Sequence, residues 1–335
     1  MQHQQSKLGW ILVVVAVAGA AAATVGCGDD DGMMTPTDAG VMGTDAGEVM
    51  LPSVKRGPTA AAGCLPDAMG LPTCTASVYT NRGTNTVPTP GAAIDYTFTV
   101  KDFQTDDTVA GVMVQLFTNN VVADTCVAPD CLLGMSDAMG SFMAHGPANA
   151  WYAYRMLPKM GPTAAATVVG SVQYNEPAPA MSGSTVEGNS VSRATLNLIP
   201  TVLGFRQQMG TAIIAGAVRD SENQEVFGAV IRAYGSDGML IVEGEAMASP
   251  HIRYFNGDSF PSPTAMFTDV DGLYAVANIP PDRSPIRLEA WGRLTDADMT
   301  PVILGCETAR IFGDTVTIIN IVPLRSDGPA DCPRM

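Results

Sequence analysis

The residues of this sequence whose chemistry could define a function are few: seven cysteines, His145 and His251, scattered carboxylates, thioethers and one aromatic cluster. With Cys27 set aside, Cys64, Cys74, Cys126, Cys131, Cys306 and Cys332 are even in number, and no C-x-x-C pair or neighbouring His makes a zinc site of them. They read as a disulfide framework whose connectivity stays open, with the local pairs Cys64–Cys74, Cys126–Cys131 and Cys306–Cys332 the economical choice. His145 and His251 lie in no G-x-S-x-G, H-E-x-x-H or phosphate-cradling context, so ordinary exposed histidines are expected. Glu243 and Glu245 could flank a glycosidic bond from one face of a strand, but solvated loop acids outweigh that reading. Met135, Met139 and Met143 recur at helical spacing, as a Cu(I)-binding thioether set would, yet Ser136, Asp137 and Gly140 mark a turn. Trp151, Tyr152 and Tyr154 could stack on a sugar, although successive strand residues face opposite ways and at least one of the first two must be core. Trp291 is read as core. These patterns yield no catalytic residue, no metal site and no cofactor.

Elements that must position such residues are legible first in composition. The chain has 335 residues, enough for two domains beside a targeting segment and a linker. Charged residues make 15% and aromatics 6%, while Gly (34) and Pro (24) are plentiful, a mixture that suits turn-rich β structure rather than long helices. A net charge of −15 with no basic stripe argues against a nucleic-acid partner, whose phosphates demand clustered Lys and Arg.

Residues 1–26 have the layout of a secretory signal: a polar start with Lys7, an uncharged stretch from Leu8 to Val25, and small residues before Cys27. The ending Thr24-Val25-Gly26-Cys27 resembles the lipobox of bacterial lipoproteins, with Thr24 where that pattern has Leu. The resemblance implies a lipid, palmitate included, on Cys27 and attachment to a membrane. Gly28 after the cysteine implies an outer-membrane destination, with the periplasmic or cell-surface face left open. The rival reading, a spanning helix over 9–26, is weakened by its Ala and Gly content and by Asp29-Asp30-Asp31 where Lys or Arg would follow. Residues 27–60 read as a self-repelling, disordered linker: they repeat Thr-Asp-Ala-Gly at 37–40 and 44–47 and carry no base before Lys55.

Two stretches beyond the linker share an order of elements. In the second, Gly216-Ala217-Val218-Arg219-Asp220 is a strand running into a turn, Gly228 to Tyr234 is the next strand, Thr268 to Tyr274 is a tight turn, and Ile286 to Trp291 alternates as a half-buried strand. This order resembles the carboxypeptidase regulatory-like domain, a transthyretin-like β-sandwich. The resemblance places Asp269 and Gly272 in its turn and sends Tyr274 to the core. A fainter copy upstream uses Phe98 to Asp102, Gly111 to Phe117, a turn at Ser136 to Phe142, and Ala150 to Arg155.

The sequence therefore predicts an all-β chain: signal 1–26, lipid-anchored linker 27–60, sandwich module 61–160, connector 161–209 and second sandwich 210–335. In the connector, Thr167 to Tyr174 is a candidate strand. Residues 190–205 suggest a short helix that Pro200 breaks, capped by Ser190 or Ser192 and packed on the second module. Gly235 to Pro263 is expected as a long polar loop suited to binding. In the resembling family the module does no chemistry itself. The expected function is a non-catalytic cell-envelope lipoprotein with a structural or protein-interaction role, its partners being the membrane and an envelope protein. The alternative is a module that binds cell-wall or environmental polysaccharide.

Overall fold

The computed structural model describes residues 50–57, 64–80, 89–244, 246, 248–325 and 328–332. Their strands are β1 (Lys55–Arg56), β2 (Leu65–Pro66), β3 (Pro72–Thr73), β4 (Ala93–Asp102), β5 (Met113–Phe117), β6 (Cys131–Met135), β7 (Ser141–Pro147), β8 (Trp151–Met156), β9 (Val168–Pro177) and β10 (Thr185–Ser192). The remainder are β11 (Ala212–Ala217), β12 (Val226–Phe227), β13 (Val230–Tyr234), β14 (His251–Phe255), β15 (Pro261–Ser262), β16 (Leu273–Ile279), β17 (Ile286–Gly292), β18 (Val302–Ala309) and β19 (Thr315–Ile318). Helices α1 (Ala76–Thr80) and α2 (Arg193–Val202) and a 3-10 turn at Pro281–Arg283 complete the set. The chain is all-β in character, as its composition implied.

Alternation makes the strands. In β4, Tyr96, Phe98 and Val100 are buried while Asp95 and Thr97 face out, because neighbouring side chains of a strand leave on opposite sides. Across β4 lies β10, in parallel register with Val186 beside Phe98 and Gly188 beside Val100. A Cβ on Gly188 would come within 2.3 Å of the Phe98 ring, so the close approach of the two strands requires glycine there.

One long sheet joins both halves of the chain. Its main run is β6-β5-β8-β9-β19-β11-β16-β14-β15, and β10, β4 and β7 branch from β9. In the first lobe, β7-β4-β10 folds over β5-β8-β9 and encloses Phe98, Val114, Leu116, Tyr154 and Met156. In the second, β13-β17-β18 covers the sheet from its other side around Ile214, Tyr274, Val276 and Leu288. The seam is β9, which pairs antiparallel with β8 and parallel with β19.

Helix α2 seals the branch between the lobes. Ser192 caps it by accepting from the Thr195 N–H at 3.1 Å. The helix runs through Pro200 and stops two residues later, and Leu196, Leu203 and Phe205 then pack on Ile213, Ala275 and Ile318 of the second lobe. The capping serine and the packing partner agree with the sequence reading.

Several expectations are revised. Linker residues 53–57 are structured: Val54 enters the core, Ser53 bridges to Arg293, β1 pairs with β12, and the buried Arg56 guanidinium donates to Asp220. The Cys64–Cys74 hairpin and α1 follow this segment onto the second lobe, where the Ser221 N–H donates to the Val78 carbonyl at 3.0 Å, instead of marking the start of the first. Segment 161–209 is no mere connector, since β9 and β10 within it are sandwich strands. The insertion 235–263 contains β14, paired along β16, and the short β15, so part of the expected loop is sheet. Cys27, the signal and the acidic repeats lie outside the described residues.

Candidate functional site

The turn of the second module is built as its motif implied. Gly272 takes φ of +66°, its N–H donates to the Asp269 carbonyl at 2.9 Å, and Tyr274 is fully buried with its hydroxyl donating to the Ile319 carbonyl at 2.7 Å. The upstream counterpart closes in a related way. Asp137 Oδ1 accepts from the N–H groups of Met139 and Ser141, Gly140 has φ of +79°, and Phe142 lies 5.2 Å from Phe98 between ring centroids. The Asp137 turn recurs at Asp67, where Met69 and Leu71 donate to Oδ1 and Gly70 has positive φ. Both turns read Asp-Ala-Met-Gly, a repeat that sequence reasoning passed over. The acids at these turns are therefore consumed by backbone N–H groups.

The two histidines separate. His145 is exposed on β7, with Nδ1 2.8 Å from Asp95 Oδ1. His251 was expected to be exposed but is 5% accessible on β14, stacked on Phe205 at 5.6 Å between ring centroids. Its Nδ1 lies 3.0 Å from Arg253 Nη2, and Arg253 Nη1 donates to Glu243 Oε1 at 2.8 Å. A guanidinium only donates, so His251 Nδ1 is the acceptor of that bond and is already occupied. The cation separates imidazole from carboxylate, which is the reverse of an acid–base pair, where the acid would hold the ring directly. Glu245 lies outside the described residues. Glu243 also accepts from the Ile252 N–H at 2.5 Å, at the start of β14.

The methionine set does not assemble. Met135 lies on β6 opposite Met113, on the outer face of one sheet layer, while Met143 lies on β7 opposite Thr97, on the outer face of the other, and Met139 is in the turn between them. The sugar platform does not form either, because Tyr152 and Tyr154 are buried and Arg325 covers Trp151 at 5.0 Å from the ring centroid. The six cysteines are joined as Cys64–Cys74, Cys126–Cys131 and Cys306–Cys332. Three disulfides fit an oxidising, extracytoplasmic compartment. Among the described residues no group of three or more His, Cys, Asp or Glu could hold a metal ion, and no helix is long and apolar enough to cross a membrane.

Two polar constellations escaped the sequence reading. Inside the first lobe the Asn189 N–H donates to Tyr154 Oη at 2.7 Å, Tyr154 donates to Gln173 Oε1 at 2.6 Å, and Gln173 donates onward to Glu176. Burial pushes the Glu176 carboxyl up to about 7 against the bond from Gln173, and burial also raises both tyrosine hydroxyls. On the outer face of β13-β17, the Arg232 guanidinium stands 4.3 Å from the Trp291 ring centroid and that of Arg287 4.4 Å from Tyr234. Trp291 is thus not core: it shares the parity of Arg287 and Glu289, opposite to Ile286, Leu288 and Ala290. Glu289, 3% accessible, accepts from Trp291 Nε1 at 2.9 Å and pairs with Arg287 at 3.1 Å.

No family model matches the chain, and no curated protein matches it. Among solved structures, the shaft pilin SpaA from Lactobacillus rhamnosus GG is similar at 12% identity over 70% of this chain and 98% of that chain, with a TM-score of 0.21. The Bacillus anthracis TIE protein is similar at 7% identity over 69% of this chain and 34% of that one, with a TM-score of 0.19. An intradiol ring-cleavage dioxygenase from Tetranychus urticae is similar at 13% identity over 32% of this chain and 58% of that one, with a TM-score of 0.16. At such values no property of those proteins transfers to this chain.

Proposed function

We propose that the chain is a non-catalytic structural module of the cell envelope, tethered through a lipid on Cys27 and acting as a protein-interaction body. The observation that carries this reading is the use to which the fold puts its reactive groups. His251 is held beneath Phe205 by Arg253, the turn acids cap backbone N–H groups, and the cysteine sulfurs other than that of Cys27 are in disulfides. A rigid β body with its chemistry consumed in this way presents surface, not a reaction centre. The segment that would carry the tether is built into the second lobe through Val54 and Arg56, so a pull on it reaches the folded body directly.

The test is localisation of the full-length protein and of Cys27→Ser, with in-cell cross-linking of the tagged parent. Loss of Cys27→Ser from the membrane fraction supports the lipid, and unchanged retention overturns it. One cross-linked partner at near-equal abundance supports an assembly role, and recovery of the chain alone overturns that role.

A further inference from the structure

We propose that the outer face of β13-β17 is a binding strip for an anionic polysaccharide, with Arg232 as its carboxylate-binding residue and Arg287, which is paired with Glu289 at 3.1 Å and donates to the Asp331 carbonyl at 3.3 Å, adding positive charge beside it. Outward positions on these antiparallel strands come in three cross-strand rows: Val230 with Trp291, Arg232 with Glu289, and Tyr234 with Arg287. Rows two residues apart along a strand are about 7 Å apart. The strip thus carries two guanidiniums on neighbouring rows, Arg232 laid over Trp291 of the next row and Arg287 over Tyr234 of its own row.

Three features point to an anionic ligand. The only carboxylate among those six residues is Glu289, which is buried and engaged by Trp291 and Arg287. Arg232 has its ring contact with Trp291 and no carboxylate partner among the described residues, in a chain with 33 acidic and 18 basic residues. Stacking on an indole fixes the plane of a guanidinium and leaves its N–H edge for a bidentate acceptor. The rings here support the arginines and are not themselves a sugar platform.

The shape of the strip favours a polysaccharide over an acidic peptide. It is half-exposed pleated sheet, where each ion pair is weak because water screens it. A Glu side chain must give up several rotors to bind there, whereas a carboxylate fixed on a sugar ring gives up almost none. Ring-borne charges repeated along a stiff polymer also add avidity along consecutive rows.

The experiment measures binding of the full-length protein to polygalacturonate at low salt, with dextran as the uncharged polymer and poly-L-glutamate as the acidic peptide. Arg232→Gln is expected to weaken polygalacturonate binding about fivefold and Arg232→Gln with Arg287→Gln about tenfold, the smaller second step reflecting the pairing of Arg287 with Glu289. Arg206→Gln, the same charge change at an exposed site elsewhere, should stay within about twofold of the parent. Poly-L-glutamate should bind about tenfold more weakly, and dextran not at all. Equal binding by Arg232→Gln and Arg206→Gln, equal binding of poly-L-glutamate, or binding of dextran would overturn the proposal. Should Arg232→Gln fail to unfold cooperatively, Arg232→Lys replaces it. A loss of about threefold supports the fork geometry, and an unchanged affinity overturns it.

Discussion

Arg56 donates to Asp220 across 164 residues of chain, with both side chains at 1% accessibility or less, and so locks the segment before the first lobe onto the second. Asp220 Oδ1 also accepts from the N–H groups of Glu222 at 2.8 Å and Gln224 at 3.0 Å, holding a turn with Asn223 at positive φ. Arg56 Nη1 also pairs with the exposed Glu222 at 3.1 Å, so removing Asp220 takes from the buried guanidinium its one buried carboxylate among these pairs. Asp220→Ala is expected to cost about 3–5 kcal/mol in urea unfolding, and pairing it with Arg56→Met should recover part of that loss. Strict additivity in this double-mutant cycle would show that the two residues do not couple.

Glu176 predicts a pH dependence. Its carboxyl is raised from the usual 4.5 to about 7 by burial among Gln173, Tyr152 and Tyr154. The folded state therefore holds a proton that the unfolded chain releases at lower pH. The stabilising contribution is fully present below about pH 4.5 and is lost as pH rises through about 7, amounting to about 1–3 kcal/mol for this half-buried group. Glu176→Gln should flatten this part of the stability profile, and an unaltered profile would assign the dependence to other groups.

The Cys306–Cys332 bridge closes a loop of sequence separation 26 and pins the C-terminal segment to the outer side of β18, with Leu324 and Ile303 against it. Replacing both cysteines with serine is expected to destabilise the protein by about 3 kcal/mol. Alkylation of the unreduced, denatured mature protein should label no thiol, and several labelled cysteines would refute the framework.

Close approach at Gly188 makes a sharper test of the first lobe. Gly188→Ala drives a methyl into the Phe98 ring and is expected to cost about 1–3 kcal/mol by overpacking. Adding Phe98→Leu should relieve part of that strain, so a double variant less stable than the sum of the singles would contradict the contact.

What the sequence disclosed followed from periodicity and turn chemistry. Strands such as β17 and β4 alternate because one of their faces is core, and Gly272 and Gly140 announce positive-φ turns. Strand β9 was only partly legible because it is buried on both sides where the lobes meet: Val169, Val172 and Tyr174 are all inside, so no clean alternation exists. His251 looked like a loop residue because it lies beside Pro250 in a polar insertion, and only the pairing of β14 with β16 and the tertiary contact with Phe205 draw it inward. Trp291 was read as core from the alternation of its strand, but its parity is that of Arg287 and Glu289, which places it outside. The Arg232 and Arg287 strip had no sequence signal, since its rows are assembled from strands more than fifty residues apart.

The clasp at Arg56 and the bridge at Cys332 both end on the second lobe, so the first lobe hangs from the framework as a loop of chain between Thr80 and Arg193. Tension applied between the two ends of the described chain has a load path through β1, β12, β17 and β18 that bypasses the first lobe. That lobe is mechanically a passenger: it can keep its shape, and whatever surface it presents, while the body that carries it is under strain.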